Sequence, residues 1–361
     1  MLVRIVIIVL AVMILRPIAI AQGGFFKEEM VRNGKYFSFP VFSQPSRQHV
    51  AKKINRFLQL SELYIIAKPP YTHRIFEQST ANDGSIYGGK SAIRANVYSN
   101  NDRVLSVGFS QESCGATCGY WNSYYNFNSG NGDRIELTEL FEPDGYQKFF
   151  KAVLKKRESK YRREVRKKVE PAEQEAYLGT LGCFESDDLS DFFVRGRSIV
   201  IDGDSCLAKS QKFSGLDMNV GIDLKDFHQH LSPYGRAIFG LSSQKVSAYR
   251  STELPQLFEG SVNDAFPFVM VLREDSWGGY AGHYAYLKYG EGLALTGSTV
   301  AGEIKLKELV LSRDVVINEL GEVRKPVQSG TVTGRLVGNR FVGFWNDISC
   351  ANTYSFEASA K

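Results

Sequence analysis

VLSVGFSQESCGATCGYWNSYYNFNSGNGDRIELTELFEPDG, residues 104–145, decides the fold. Its first part alternates, so Leu105, Val107 and Phe109 share one face of a strand. Tyr125 and Phe127 cover the same core from a second strand. Between the two lie a Cys114-x-x-x-Cys118 loop and the aromatic cluster Tyr120, Trp121, Tyr124, Tyr125. Ser129-Gly130-Asn131-Gly132-Asp133 then reads as a turn into a third strand. Asp144-x-x-Gln147 reads as a capping box that opens a helix.

Working outward, Tyr36–Phe42 predicts a strand, Ser46 an N-cap, and Val50, Ile54, Phe57 and Leu58 the inner face of a helix from about Arg47. Ser91–Tyr98 pairs naturally with the strand that begins at Val104. The helix after Asp144 carries the apolar stripe Tyr146, Phe149, Phe150, Val153, Leu154, Tyr161, Val165 and Val169, and stops before Pro171. Phe192–Asp202 and Met218–Ile222 read as strands, and Leu224–Leu231 as a helical turn. From Leu257 onward, short alternating runs are separated by Gly-rich turns, the pattern of an antiparallel meander closing into a small barrel or curled sheet. Gly282, Gly297, Gly334 and Gly343 predict bulges or tight bends there. The fold class is therefore α+β: an antiparallel sheet packed with helices, followed by a C-terminal antiparallel β-barrel-like or meander domain. The expected division is a leader over 1–21, an α+β domain over 22–240 and an all-β domain over 241–361.

Arg4, the apolar run Ile5–Leu15 and Ala19-Ile20-Ala21 form a secretory signal cleaved near Ala21. The apolar run is shorter than the roughly 20 residues a span needs, so a periplasmic or secreted location is expected, with no stable membrane span. Of the 5 cysteines, Cys114 and Cys118 share one loop and Cys183 and Cys206 bracket a predicted strand. Two disulfides with Cys350 left free fit that compartment. The formal charge of +5 falls to about +3 without Arg4 and Arg16, no signature of nucleic-acid binding. Lys148–Lys168 holds eleven Lys/Arg against Glu158 and Glu164, which leaves the rest of the mature chain at about −6. That helix is either an anion-binding face or a solvated surface with Glu158–Arg162 and Glu164–Lys168 pairs.

No catalytic constellation stands out. His228-Gln229-His230 could hold a metal on a strand, but on the helical turn expected there the two rings diverge. Cys114-x-x-x-Cys118 lacks thioredoxin-type spacing and a second pair for zinc. A nucleophile elbow and a phosphate-cradling Gly loop are both missing, so neither cofactor nor metal is expected. Tyr120, Trp121 and Tyr124 are the candidate binding residues, although alternation places some of these aromatics in the core.

The order of pieces resembles a family of extracytoplasmic domains of unknown function. The carriers are Phe39-Pro40-Val41, Ala51–Asn55, Phe109, Cys114-Gly115-Ala116, Tyr125–Asn128, Ile135-x-Leu137-x-x-Leu140-Phe141, Ile199-Val200-Ile201, Ile222–Phe227 and Leu231-Ser232-Pro233-x-Gly235. The best-known members form the ectodomain of a lysozyme-sensing anti-sigma factor and the N-terminal region of a peptidoglycan deacetylase. Cys-Gly-Ala-Thr-Cys replaces the commoner Gly-Gly-Ala-His, and neither a cytoplasmic sigma-binding segment nor the deacetylase His-x-x-x-His is present. The resemblance implies a non-enzymatic envelope binding protein that engages a lysozyme-like protein or cell-wall glycan. The alternative is an envelope-polymer hydrolase with an unfamiliar site. A barrel that carries a small apolar ligand is a weaker third reading.

Overall fold

A computed structural model describes residues 24–78, 90–114, 117–186, 189–212, 215–274, 278–318 and 321–361. The leader expected over 1–21 lies outside the described residues. The first sheet has the order β1 (Lys27–Asn33), β2 (Phe37–Ser43), β3 (Ala92–Asn100), β4 (Val104–Cys114) and β5 (Cys118–Asn128). Its pairs are antiparallel except β2–β3, which meet in parallel at Phe37 and Ile93. The β4–β5 register runs unbroken from Val104↔Asn128 to Cys114↔Cys118.

One face of this sheet is covered by α1 (Gln48–Leu58), whose Val50, Ile54, Phe57 and Leu58 share a core with Leu105, Val107, Phe109 and Phe127. Ser46 is not the cap of this helix. Pro45 starts a tight turn over Pro45–Arg47, which draws Ser46 in and leaves Arg47 at the cap position without a side-chain bond. At its far end α1 widens into a π-turn, Gln59–Leu63, and stops at Tyr64 in the left-handed region, φ 58°. A short helix, α2 (Arg74–Gln78), follows.

The third strand expected after Asp133 does not form; only isolated bridges link Phe127 to Arg134 and Phe141 to Leu231. The turn's own side chains hold the backbone instead. Asn128 Oδ1 accepts from Gly130 N (2.8 Å), and Asn131 Oδ1 accepts from Asp133 N (2.9 Å). The long helix α3 (Pro143–Lys168) begins with Glu142 as N-cap and Pro143 in its first turn. Asp144 therefore sits inside the helix, where it complements the positive end of the dipole rather than capping it. Both expected i,i+4 pairs are present, Glu158–Arg162 at 2.8 Å and Glu164–Lys168 at 2.9 Å.

Phe192–Asp202 is a hairpin rather than one strand. β6 (Phe192–Arg195) and β7 (Ser198–Ile201) turn at Gly196, φ 61°, and β8 (Val220–Asp223) completes an antiparallel sheet. This sheet lies between the first sheet and α3. Val194 N donates to Ser106 Oγ (3.1 Å), and Val194 O accepts from Ser99 Oγ (2.8 Å), so polar residues of the first sheet satisfy a buried edge.

Eight strands form a closed antiparallel barrel: β9 (Gln256–Val262), β10 (Phe266–Glu274), β11 (Gly279–Tyr286), β12 (Gly292–Val300), β13 (Glu303–Asn318), β14 (Gly321–Val337), β15 (Arg340–Asp347) and β16 (Thr353–Ala360). β16 returns to pair with β9 through Phe356↔Val262. Phe258, Phe268, Met270, Tyr284, Leu306, Val332, Phe341 and Phe356 fill the interior, which disfavours an apolar-ligand carrier. Register is continuous through Gly282 and Gly343, so these glycines are not bulges. A Cβ on either would lie 2.1 Å from a carbonyl of the neighbouring strand, so they permit close approach. The register shifts fall at Glu308/Leu309 and Leu311/Val315.

The outer face of the barrel, through Leu257, Val269, Val271 and Ala285, belongs to the same core as α1. Backbone bonds stitch the junction: Ile66 N to Gly290 O (2.6 Å) and Gly292 N to Tyr64 O (2.8 Å). Disulfides join Cys114 to Cys118 and Cys183 to Cys206, and Cys350 is free and exposed.

Removing the Cys183–Cys206 bridge as a double alanine variant should destabilise the fold by about 3 kcal/mol, since it closes the longer loop of the unfolded chain. The Cys114–Cys118 pair, which closes a very short ring, should contribute distinctly less. Urea unfolding of both variants against the parent measures the difference.

Candidate binding cleft between the sheet and the barrel

Strand β5 organises two polar centres because its side chains alternate. On the barrel side, Glu62 descends from the π-turn and is 2 % exposed. Its carboxylate accepts from Ser123 Oγ (2.5 Å), Tyr125 OH (2.5 Å) and Lys90 Nζ (2.9 Å). Lys90 also donates to the Glu62 carbonyl at 2.7 Å, and its ammonium lies 5.2 Å from the Tyr64 ring centroid. Burial and the neighbouring Glu62 charge hold the Tyr125 hydroxyl well above its ordinary pKa.

Above this network opens a cleft of about 500 Å³ between the sheet and the barrel. Trp121, Gln111 and Arg134 line it from the sheet side, and Arg273 and His283 from the barrel. The His283 ring stacks on Tyr64 with centroids 4.1 Å apart. Burial, reinforced by the Arg273 and Lys90 cations, pushes the His283 pKa down to about 3. Gln111 donates to Ser123 Oγ at 2.8 Å, while its buried Oε1 has no donor among the described residues. The Arg134 guanidinium lies over the Tyr125 ring, 5.0 Å from its centroid.

On the opposite side of β5, Tyr124 OH donates to Asp202 Oδ2 (2.6 Å) and Asn122 Nδ2 to the same oxygen (2.9 Å). Arg157, fully buried in the every-fourth-residue row of α3, donates to the Asp202 carbonyl at 3.0 Å and lies over the Phe184 ring. Gly108 makes room here, because a Cβ would come within 2.7 Å of the Tyr98 ring.

The three aromatics singled out in the sequence are thus not one patch. Trp121, 38 % exposed, faces the cleft. Tyr120 is also exposed, with its hydroxyl on Glu112 Oε1 at 2.9 Å. Tyr124 is buried at the Asp202 centre, where burial and that carboxylate raise its pKa. His228 and His230 sit in an exposed 3₁₀ turn. Glu112 lies near Cys114 and Cys118, but those two sulfurs are bonded to each other. Sequence reasoning missed Glu62, Lys90, Arg273 and His283. A legible signal existed for the first, since Glu62 is the lone acid in the apolar run Phe57–Ala67.

No family model matches the chain, and no curated protein does. Among solved structures, a member of the DUF3298 family from Bacteroides fragilis is similar with a TM-score of 0.41 and 13% identity, covering 62% of this chain and 99% of its own. A DUF3298 family protein from Pseudomonas aeruginosa is similar with a TM-score of 0.35 and 12% identity, covering 58% and 93%. The two disulfides are compatible with an extracytoplasmic location. Among the described residues, no helix is long and apolar enough to cross a membrane.

His283 sets a pH dependence. Its folded pKa is depressed, so the unfolded chain binds the proton more readily, and stability should fall as pH drops from about 6.5 towards 3. Because the ring borders the open cleft, screening should limit the loss to the order of 2 kcal/mol. His283→Phe keeps the stack on Tyr64 and should flatten this part of the stability–pH curve in urea melts.

Proposed function

We propose that this is a non-enzymatic binding protein of the extracytoplasmic cell envelope, and that the cleft holds a segment of cell-wall glycan. The observation that carries the reading is the Trp121 indole, 38 % exposed on the wall of a cleft that the exposed Arg273 also lines. The apolar face of a pyranose covers the indole, and its hydroxyls accept from the guanidinium. The remaining polar groups suit recognition. Glu62 already accepts three bonds, and His283 stays neutral across the physiological range. A glycan hydrolase of the common design uses two free carboxyl groups; the carboxylates of this lining are Glu62, which already accepts three bonds, and Asp191.

A lysozyme-like protein is the second partner this reading accommodates. Its support is the resemblance described above and the charge of about −6 outside the basic helix, which would steer a cationic protein. Tyr120 and Trp121 are the exposed aromatics of the hairpin available for such a contact, whereas Tyr124 is buried.

Calorimetry with soluble peptidoglycan fragments at ~100 μM, where weak specific pairs still give heat, tests the first partner. Trp121→Ala and Arg273→Ala should each weaken binding by about tenfold or more, the scale of a buried contact. Heat that survives both substitutions would remove the cleft from the account, and cleavage of the fragments would favour the hydrolase. A parallel titration with lysozyme, at low and moderate salt, tests the second partner; no heat in either series would end the proposal.

A further inference from the structure

Helix α3 presents a row of cations that neither the core nor the cleft uses. Phe149, Val153, Arg157, Tyr161 and Val165, spaced every four residues, form its buried row. The row directly opposite is Lys151, Lys155, Ser159, Arg163 and Lys167, all exposed. Successive positions are about 6 Å apart along the axis, so the row extends about 24 Å. Among the described residues, none of its four cations takes part in an ion pair; Glu158 and Glu164, the acids interspersed with the row, are committed to Arg162 and Lys168. Near the C-terminal end the ridge borders a concavity of about 450 Å³ lined by Ser159, Arg162, Arg163, Arg166 and Lys167.

The helix dipole does not account for this arrangement. Cations in the last turn complement the dipole, but Lys151 and Lys155 lie in the first half of the helix, where they do not. Like charges four residues apart also repel, as Lys151/Lys155 and Arg163/Lys167 do here. A polyanion laid along the row would turn that repulsion into attraction and release its own counterions.

We infer that the outer face of α3 is a docking ridge for a linear, phosphodiester-linked polymer of the cell envelope. The ridge has no large apolar or aromatic side chain to insert into a bilayer or to stack on bases, which disfavours a lipid surface and a nucleic acid. The row winds about the helix by about 40° at each step, a path that a flexible chain with a regular negative repeat can follow.

Poly(glycerol phosphate) is the probe, titrated against the full mature chain at ~50 and ~200 mM salt, the range over which phosphate contacts are most clearly read. Four contacts should give a log–log salt slope of about −3. Changing Lys151, Lys155, Arg163 and Lys167 together to Gln should weaken binding at least tenfold and flatten that slope. Gln has nearly the helix propensity of Lys and Arg, so the fold should survive, as circular dichroism would verify. A charge-matched variant with Lys27, Lys35, Lys305 and Lys307 changed to Gln should bind within about twofold of the parent, as sites away from the ridge add independently. Equal losses in the two variants, or no binding at the lower salt, would overturn the inference. So would equal or tighter binding of phosphatidylglycerol vesicles or oligothymidylate, which would make the occupant a lipid surface or a nucleic acid.

Discussion

The buried carboxylate of Glu62 is the constraint on which the junction depends. Burying a charge costs several kcal/mol unless it is paired and hydrogen-bonded. Here the charge is met by Lys90 at 2.9 Å and by the hydroxyls of Ser123 and Tyr125 at 2.5 Å each. The carboxylate and its partners come from three places in the chain, so satisfying one carboxylate fixes the end of α1, the approach to β3 and the middle of β5 together. The π-turn aims Glu62 inward and carries Tyr64 to the barrel, where backbone bonds to residues 290 and 292 seat the β11–β12 turn. The cleft is the space left above a network that has little freedom to move.

The same strand secures the other side. Asn122, Tyr124 and Asn126 face the small sheet and α3, while Ser123, Tyr125 and Phe127 face α1 and the barrel. The Arg157–Asp202 centre mirrors the Glu62–Lys90 centre, since both place a cation and a polar cluster within apolar layers. Replacing either partner alone would strand the other in a poorly solvated site, so each centre also specifies the register of the layers around it.

Local patterning made the layers readable. Leu105, Val107 and Phe109 point one way because a strand has a period of two, and that inference survives any packing arrangement. The barrel was readable as a class from its short runs and glycines. Its closing strands β9 and β16 were not: QLFEGSV sets Leu257 beside Phe258 and so breaks alternation, and the alternating TYSFEASA has only Ala358 and Ala360 on its apolar side after Phe356. The Phe192–Asp202 hairpin was hidden for a related reason: Gly196 could equally sit within a continuous strand. The cleft was the least legible feature. Trp121 was visible, but Glu62, Lys90 and His283 lie far apart in the chain and meet only through the docking of the barrel. Arg157 is hidden among the other cations of a basic helix, and only its four-residue spacing from Val153 and Tyr161 marks it as buried.

The protonation states around β5 bear on what the cleft does. Chemistry at neutral pH needs a group that gains or loses a proton there. Glu62 spends its oxygens on three donors, Tyr125 keeps its proton far above neutrality, and His283 sheds its own at about 3. Asp204, which burial and the adjacent Asp202 push up to about 6, is the group poised near neutrality, but it belongs to the Asp202 centre on the far side of the strand. What faces the cleft is a set of fixed donors and acceptors beside an indole. Fixed groups discriminate between ligands by whether each finds its complement, since an unmatched buried partner is costly. On the binding reading proposed above, that fixity would make the cleft selective.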